Sequence, residues 1–238
     1  MQAIILAAGL GRRIRSISNG IPKCLIEVNG EKILHHQLDI LRSQGIQDIV
    51  IVVGYLQQKI KDFIGDTVSY VENAIYEGSN SSFSLWLARN RLVEDFIYLN
   101  ADLIFDGAIL KKLLDHPAEN AMAIDSSRIK FENDMFKVRL NKGRVIELNK
   151  RLDARKASAS APGPVKFSKR GRDILFKELD EIIGQGDKSQ WCYSIFGRIA
   201  EKIELKGIDI AGLTWMEIDT DEDLERASKM RFIVDQKR

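Results

Sequence analysis

Cysteine is nearly absent from the 238 residues: Cys24 and Cys192 are the only two. Two thiols so far apart in sequence make neither a disulfide framework nor a zinc site, and they predict a reducing, cytoplasmic setting. A bias of charge is missing as well. With 36 basic against 34 acidic residues and a formal charge of +2, nothing draws the whole surface to nucleic acid or to an anionic membrane, so any phosphate chemistry has to be local. Long apolar runs are also lacking. The first, residues 3–8, stops at Gly9 with no basic segment before it and falls far short of the roughly 20 residues of a membrane helix, which predicts neither export nor anchoring. No Ser/His/Asp or Cys/His set has a convincing context either. His35 and His36 merely stand near a helix start.

What is present suffices for a sizeable core, with 45% hydrophobic and 29% charged residues. Short apolar or β-branched runs at 3–8, 48–53, 68–72 and 96–100 predict strands buried on both faces. Between them Ile33, His36, Gln37, Ile40 and Leu41 recur at helical spacing and stop at Gly45, and residues 56–63 and 82–91 read likewise. Such alternation predicts an α/β fold with a mostly parallel sheet, helices on both faces and ligands beyond the carboxyl ends of the strands. From residue 122 the texture changes. Residues 135–140 and 145–148 flank Asn141-Lys142-Gly143, which predicts a hairpin in a small antiparallel insert. Residues 154–163, rich in Ala, Ser and Pro, predict a mobile loop. Helices over 169–183 and 189–201, a strand over 214–218 and a polar helix complete the pattern. No repeat or linker divides it, so one domain over 1–238 is expected.

Leu6-Ala7-Ala8-Gly9-Leu10-Gly11-Arg12-Arg13 leads from the first strand into a turn with two glycines and a basic pair. Without side chains at Gly9 and Gly11, backbone N–H groups can close on a polyphosphate, and Arg13 can add a bidentate contact. Lys23 follows Pro22, and no acid precedes Glu27, so Arg12, Arg13, Arg15 and Lys23 predict a local positive field. The dinucleotide fingerprint fails because its third glycine falls on Ile14, and no Walker-type Gly-Lys-Ser/Thr occurs. Asp102 and Asp219 each follow an apolar strand. Two carboxylates at strand ends facing a basic turn suit a hard cation such as magnesium, although aspartates also end strands for structural reasons alone. The acids Asp221, Glu222 and Asp223 open a helix behind Thr220, and capping accounts for them.

The string Leu6 to Arg13 followed by Pro22-Lys23 resembles the signature of the nucleotidyltransferase superfamily. Val53-Gly54-Tyr55, Asn80 to Leu85, Asn100-Ala101-Asp102, Asn149-Lys150, Lys166-Phe167-Ser168 and Glu217-Ile218-Asp219 continue it in order. Within that superfamily the chain is most similar to small bacterial cytidylyltransferases acting on phosphocholine, aminoalkylphosphonates or inositol phosphate. The resemblance implies the Rossmann-like nucleotide-diphospho-sugar transferase fold, with residues 1–120 as the nucleotide-binding half and 121–238 as the acceptor-binding half. It implies a Mg2+-dependent transfer of CMP from CTP to a small phosphorylated acceptor; a sugar-1-phosphate nucleotidylyltransferase using another triphosphate and an inactive nucleotide-binding regulator are the alternatives. Arg13, Lys23, Asp102 and Asp219 become the catalytic set, with Asp102 and Asp219 on the metal. Leu6, Ala7, Ala8, Gly9 and Gly11 are expected at the nucleotide together with Gly54, Tyr55 and Ala101. Asn80 matches the first of a pair of asparagines that contact the nucleoside in relatives, Ser81 replaces the second, and Ser84 follows; capping of a helix is the other use of such residues. Lys150 is expected at the acceptor phosphate, with Trp191, Tyr193 and Phe83 as candidate walls of an ammonium cage. Relatives carry a Gly-Glu where this chain has Ala159-Ser160. The protein is expected to act without nucleic acid or membrane, as a monomer or homo-oligomer.

Overall fold

The computed structural model describes residues 1–14, 20–127 and 135–234, with Arg12 described through its backbone only. Arg15 therefore lies outside the described residues. Fourteen described strands are β1 (Gln2–Ala7), β2 (Glu27–Val28), β3 (Glu31–Lys32), β4 (Asp48–Val53), β5 (Ser69–Glu72), β6 (Phe96–Asn100), β7 (Leu103–Phe105), β8 (Ala121–Ile124), β9 (Lys137–Asn141), β10 (Arg144–Asn149), β11 (Ala159–Ser160), β12 (Val165–Phe167), β13 (Lys206–Asp209) and β14 (Trp215–Glu217). The helices are α1 (Ile33–Ser43), α2 (Gln57–Ile64), α3 (Ser81–Leu87), α4 (Gly107–Asp115), α5 (Lys169–Gly184), α6 (Cys192–Ile199) and α7 (Asp221–Ser228). Ten strands make one mixed sheet in the order β11-β9-β10-β13-β8-β12-β6-β1-β4-β5.

The alternation of side chains along parallel strands sorts the apolar runs into two cores. Ile4, Val50, Val52, Phe96 and Tyr98 face one side, with Leu85 of α3, Phe176 of α5 and Phe196 of α6. Ala3, Ile5, Ile49, Ile51, Ile97 and Leu99 face the other, with Leu34 and Leu38 of α1, Ile60 of α2 and Leu110 of α4. Full burial of each such Ile or Leu contributes about 1.5–3 kcal/mol. Strand β1 lies between β4 and β6, parallel to both. The chain thus leaves β1 in one direction and later returns on its other side, opening a crevice beyond the carboxyl ends of β1 and β6.

Three expectations are revised. The hairpin β9–β10 forms around residues 142–143 but extends the main sheet rather than standing apart from it. Strand β14 belongs to a two-stranded ribbon with β7, not to the main sheet. The stretch 154–163 is no loop throughout: β11 pairs with β9, Ser160 and Asp125 exchange backbone hydrogen bonds of 3.0 Å, and residues 159–167 are buried. Its small residues serve close packing rather than mobility. A side chain at Gly163 would come within 2.3 Å of Leu103.

Candidate active site

The floor of the crevice begins where β1 ends. Gly11 has φ +58°, a conformation that disfavours a side chain, and the chain then makes a 3-10 turn over Arg12–Ile14. Pro22 starts a second such turn, Lys23–Leu25, which presents Lys23. A Cβ at Gly11 would approach the Cβ of Lys23 to 3.3 Å, so the glycine lets the lysine stem pass beneath the turn.

Asp102 leaves β6 and Asp219 leaves β14, 117 positions further on in the sequence. They meet because β7 and β14 are antiparallel with Glu217 opposite Leu103, and because Ile218 N–H donates to the Asp102 carbonyl at 2.9 Å. Lys23 Nζ donates to Asp102 Oδ2 at 2.7 Å and also to Asp219 Oδ1, while Arg13 Nη2 lies 2.9 Å from Asp219 Oδ2. Burial works to lower the Lys23 pKa, but Asp102 and then Asp219 outweigh it and the net shift is upward. Glu217 stands at the same floor. Burial first, then the charges of Asp102 and Asp219, push its carboxyl up to about 8. The expected positive field is thus corrected among the described residues: Arg13 and Lys23 both engage carboxylates. Asp102 Oδ1 is buried without a hydrogen-bond partner among the described residues. A hard, oxygen-seeking divalent cation suits this donor set.

Above the floor is a cleft of about 1100 Å³. Leu6, Ala8, Gly9, Arg13, Asn80, Ser81, Ser84, Asp102, Lys150, Trp191, Tyr193 and Asp219 all line it. Gly9 offers room, since a Cβ there would meet no atom of the described residues within 4 Å. Asn80 caps α3, its Oδ1 accepting from Ser81 N at 2.8 Å. Ser81 Oγ accepts from Cys192 N at 2.9 Å, and Ser84 Oγ accepts from the buried Asn73 amide at 3.0 Å. On the far wall Lys150 Nζ lies 4.7 Å from the Trp191 ring centroid and 5.1 Å from that of Phe136.

Ala7, Gly11, Lys23, Gly54, Tyr55 and Ala101 do not line the cleft. They stand behind it. A Cβ at Gly54 would fall 2.9 Å from the Ala8 carbonyl oxygen and 3.0 Å from Tyr76, Tyr55 N donates to that same carbonyl at 3.2 Å, and Ala101 N donates to the Leu6 carbonyl at 3.2 Å. Gly54, Tyr55 and Ala101 thus brace the turn after β1 from outside. Phe83 is likewise not a wall; it stacks on Trp86 at 5.6 Å. His36 bonds the Phe105 carbonyl at 2.8 Å and His35 faces Glu31 and Asp39, both away from the cleft. Residue patterns alone missed Asn73, Tyr76, Phe136, Ser160, Trp215 and Arg226 as lining groups. Of these, Asn73 carries a local signal, as the residue just past the carboxyl end of a strand.

A model of the MobA-like NTP transferase domain matches residues 3–189. The chain belongs to this family. The CTP:phosphoglutamine cytidylyltransferase of Campylobacter jejuni is 30% identical over 94% of this chain and 98% of its own. Two solved structures share the fold: the inositol-1-phosphate CTP transferase of T. maritima, with TM-score 0.78 and 22% identity over 96% of this chain and 95% of its own, and the CTP:phosphocholine cytidylyltransferase of Streptococcus pneumoniae, with TM-score 0.80 and 23% identity over 96% and 97%. The family resemblance and the α/β nucleotidyltransferase fold read from the sequence are both met, and this member of the family is a nucleotidyltransferase enzyme. Family members generally work with a divalent metal ion.

Proposed function

We propose that the chain transfers CMP from CTP to a small phosphorylated acceptor, such as phosphocholine, an aminoalkylphosphonate or a polyol phosphate, and releases pyrophosphate. The observation that carries this reading is the convergence of Asp102 and Asp219 on one ammonium, that of Lys23, at the floor of a cleft whose far wall bears Lys150. Residues 1–120 would hold the nucleotide and 121–238 the acceptor, within one working unit.

Asp102 and Asp219 are the residues that would hold Mg2+, which when bound stabilises charge on the phosphate oxygens. The remaining work falls to the chain itself. Backbone N–H groups of the turn at Gly9 cradle the triphosphate, and Arg13, whose side chain is 59% exposed, has the reach to leave Asp219 for a phosphate oxygen. Lys23, just behind the floor, holds Asp102 and Asp219 in place and adds fixed positive charge beneath the phosphates, and Lys150 holds the acceptor phosphate in line for attack. An acceptor oxygen forms a bond to the α-phosphorus, the bond to the bridging oxygen breaks, and pyrophosphate carries that electron pair away. No protein nucleophile takes part, so rate comes from positioning and electrostatics. The relative from Campylobacter jejuni supports CTP as the donor. Both cysteines are buried and free, which supports a reducing cytoplasmic setting, and no helix among the described residues is long and apolar enough to cross a membrane.

Pyrophosphate release tests the proposal. With Mg2+, each of the four ribonucleoside triphosphates and a panel of phosphorylated alcohols, phosphonates and sugar 1-phosphates, release is expected with CTP and a non-sugar acceptor. Release with another triphosphate and a sugar 1-phosphate would replace this reading. Silence throughout would make the protein a nucleotide-binding regulator.

A further inference from the structure

The transferase reading leaves open what the acceptor carries beyond its phosphate. Resting on that reading, we infer that the acceptor's far end bears neutral hydroxyl groups rather than a trimethylammonium, and that Tyr193 and Ser160 select it.

A quaternary ammonium is recognised by open aromatic faces. The far wall of this cleft has such faces, but the chain's own cation is already on them: Lys150 Nζ sits 4.7 Å from the Trp191 centroid and 5.1 Å from the Phe136 centroid. A second fixed cation there would compete with Lys150 for the rings and be repelled by it. Tyr193 offers no face in compensation. Its ring packs against Phe136 at 5.1 Å, Phe196 at 5.6 Å and Tyr98 at 6.1 Å, and the residue is 4% exposed. What it can still offer a ligand is its hydroxyl.

That hydroxyl is buried and has no hydrogen-bond partner among the described residues, and the same is true of Ser160 Oγ, in a residue 2% exposed. Both residues line the cleft. A buried hydroxyl with one donor and two lone pairs unmet destabilises the fold, and Phe or Ala would fill the same space without that cost. Backbone demands do not explain the serine, because its main-chain groups are already paired with Asp125. Ser160 and Tyr193 also belong to one neighbourhood with Lys150: Ala161 N donates to the Phe136 carbonyl at 2.9 Å, and Phe136 packs on Tyr193 and under Lys150. An acceptor held by Lys150 through its phosphate therefore has beside it two hydroxyls that lack partners among the described residues. Burial, and next the Glu217 carboxylate, hold the Tyr193 phenol well above its ordinary pKa, so it remains able to donate.

The test measures kcat/KM on the full chain with CTP and Mg2+ for inositol 1-phosphate, glycerol 3-phosphate and phosphocholine, of which the first two present neutral hydroxyls and the third a trimethylammonium. One of the first two should exceed phosphocholine by about tenfold or more, since a site built for hydrogen bonds rejects a ligand that cannot make them. Tyr193→Phe and Ser160→Ala should each erase most of that lead, chiefly through the acceptor KM, with the CTP KM unchanged. Phosphocholine used as well as or better than the others would overturn the inference, as would variants that lower all three acceptors alike. If none of the three is turned over, the wider acceptor panel separates the cases: CTP-dependent turnover of another phosphorylated acceptor overturns this inference alone, and silence with every acceptor overturns the transferase reading with it.

Discussion

The two walls of the cleft are built by different means. The proposed nucleotide side is made of turns that follow β1, β6 and β14 directly, bound to one another by backbone hydrogen bonds such as Ile218 to Asp102 and Ala101 to Leu6. Its charges, Arg13, Lys23, Asp102 and Asp219, lock one another in place. The proposed acceptor side gathers Phe136, Lys150, Ser160 and Trp191 from the hairpin, the short strand β11 and the start of α6, mostly toward the far edge of the sheet. A phosphoryl transfer needs its charges fixed to fractions of an ångström, and strand ends of a central sheet supply that. Acceptor choice needs surfaces that can change without disturbing the core.

This contrast is most sharply broken or upheld at the floor. Asp219→Asn should lower kcat by about 10²–10³-fold, the scale of losing one preorganised electrostatic contact. Its unfolding temperature should shift by no more than a few degrees, because the carboxylate sits at a strand end above the packed cores. Near-normal turnover, measured by pyrophosphate release, would show that the floor is no more demanding than the rim. Gly54→Ala tests the same side from behind. A Cβ 2.9 Å from the Ala8 carbonyl must displace the phosphate turn or Tyr76, at a cost of about 1–3 kcal/mol. A drop of several degrees in Tm together with a raised CTP KM is expected; an unchanged CTP KM would mean that the turn does not need this support.

The same contrast explains what could be read from the residues. The strands β1, β4 and β6 announce themselves as apolar runs because parallel strands are buried on both faces, and the Gly9–Arg13 turn stands next to β1 in sequence. The pairing of Asp102 with Asp219 was legible only as two strand ends, since the β7–β14 ribbon that joins them consists of three-residue strands with no turn signal between them. The burial of 159–167 was illegible for a different reason. Ala, Ser, Pro and Gly signal a loop by composition, yet here they are the small residues that let the chain pass against Leu103 and pair with β9. Phe136 and Ser160 become wall residues through that long-range pairing, which no local pattern reports.

A smaller effect is expected on the acceptor wall. Lys150→Ala should raise the acceptor KM by about tenfold, the scale of one charge-assisted hydrogen bond, and leave the CTP KM alone. Equal changes in both would place Lys150 at the nucleotide instead and erase the distinction between the walls.

The smallest and finest test falls on Asn80, where the two explanations of one residue can be separated. Its Oδ1 caps α3 by accepting from Ser81 N, while no protein group among the described residues takes up its amide hydrogens. Asn80→Ala removes both functions and should cost about 1 kcal/mol of stability as a lost cap. Asn80→Asp keeps an oxygen in the capping position and places a negative charge near a helix N-terminus, which favours it; stability should therefore be retained. The aspartate has no amide hydrogens, however, and brings a negative charge toward a base and its triphosphate. If Asn80 donates to the nucleoside, the CTP KM of Asn80→Asp rises severalfold although the protein is as stable as the wild type. If the CTP KM follows only the stability, rising in Asn80→Ala and not in Asn80→Asp, then Asn80 is a cap, and recognition of the base must come from Ser81, Ser84 or the backbone of the turn that holds them.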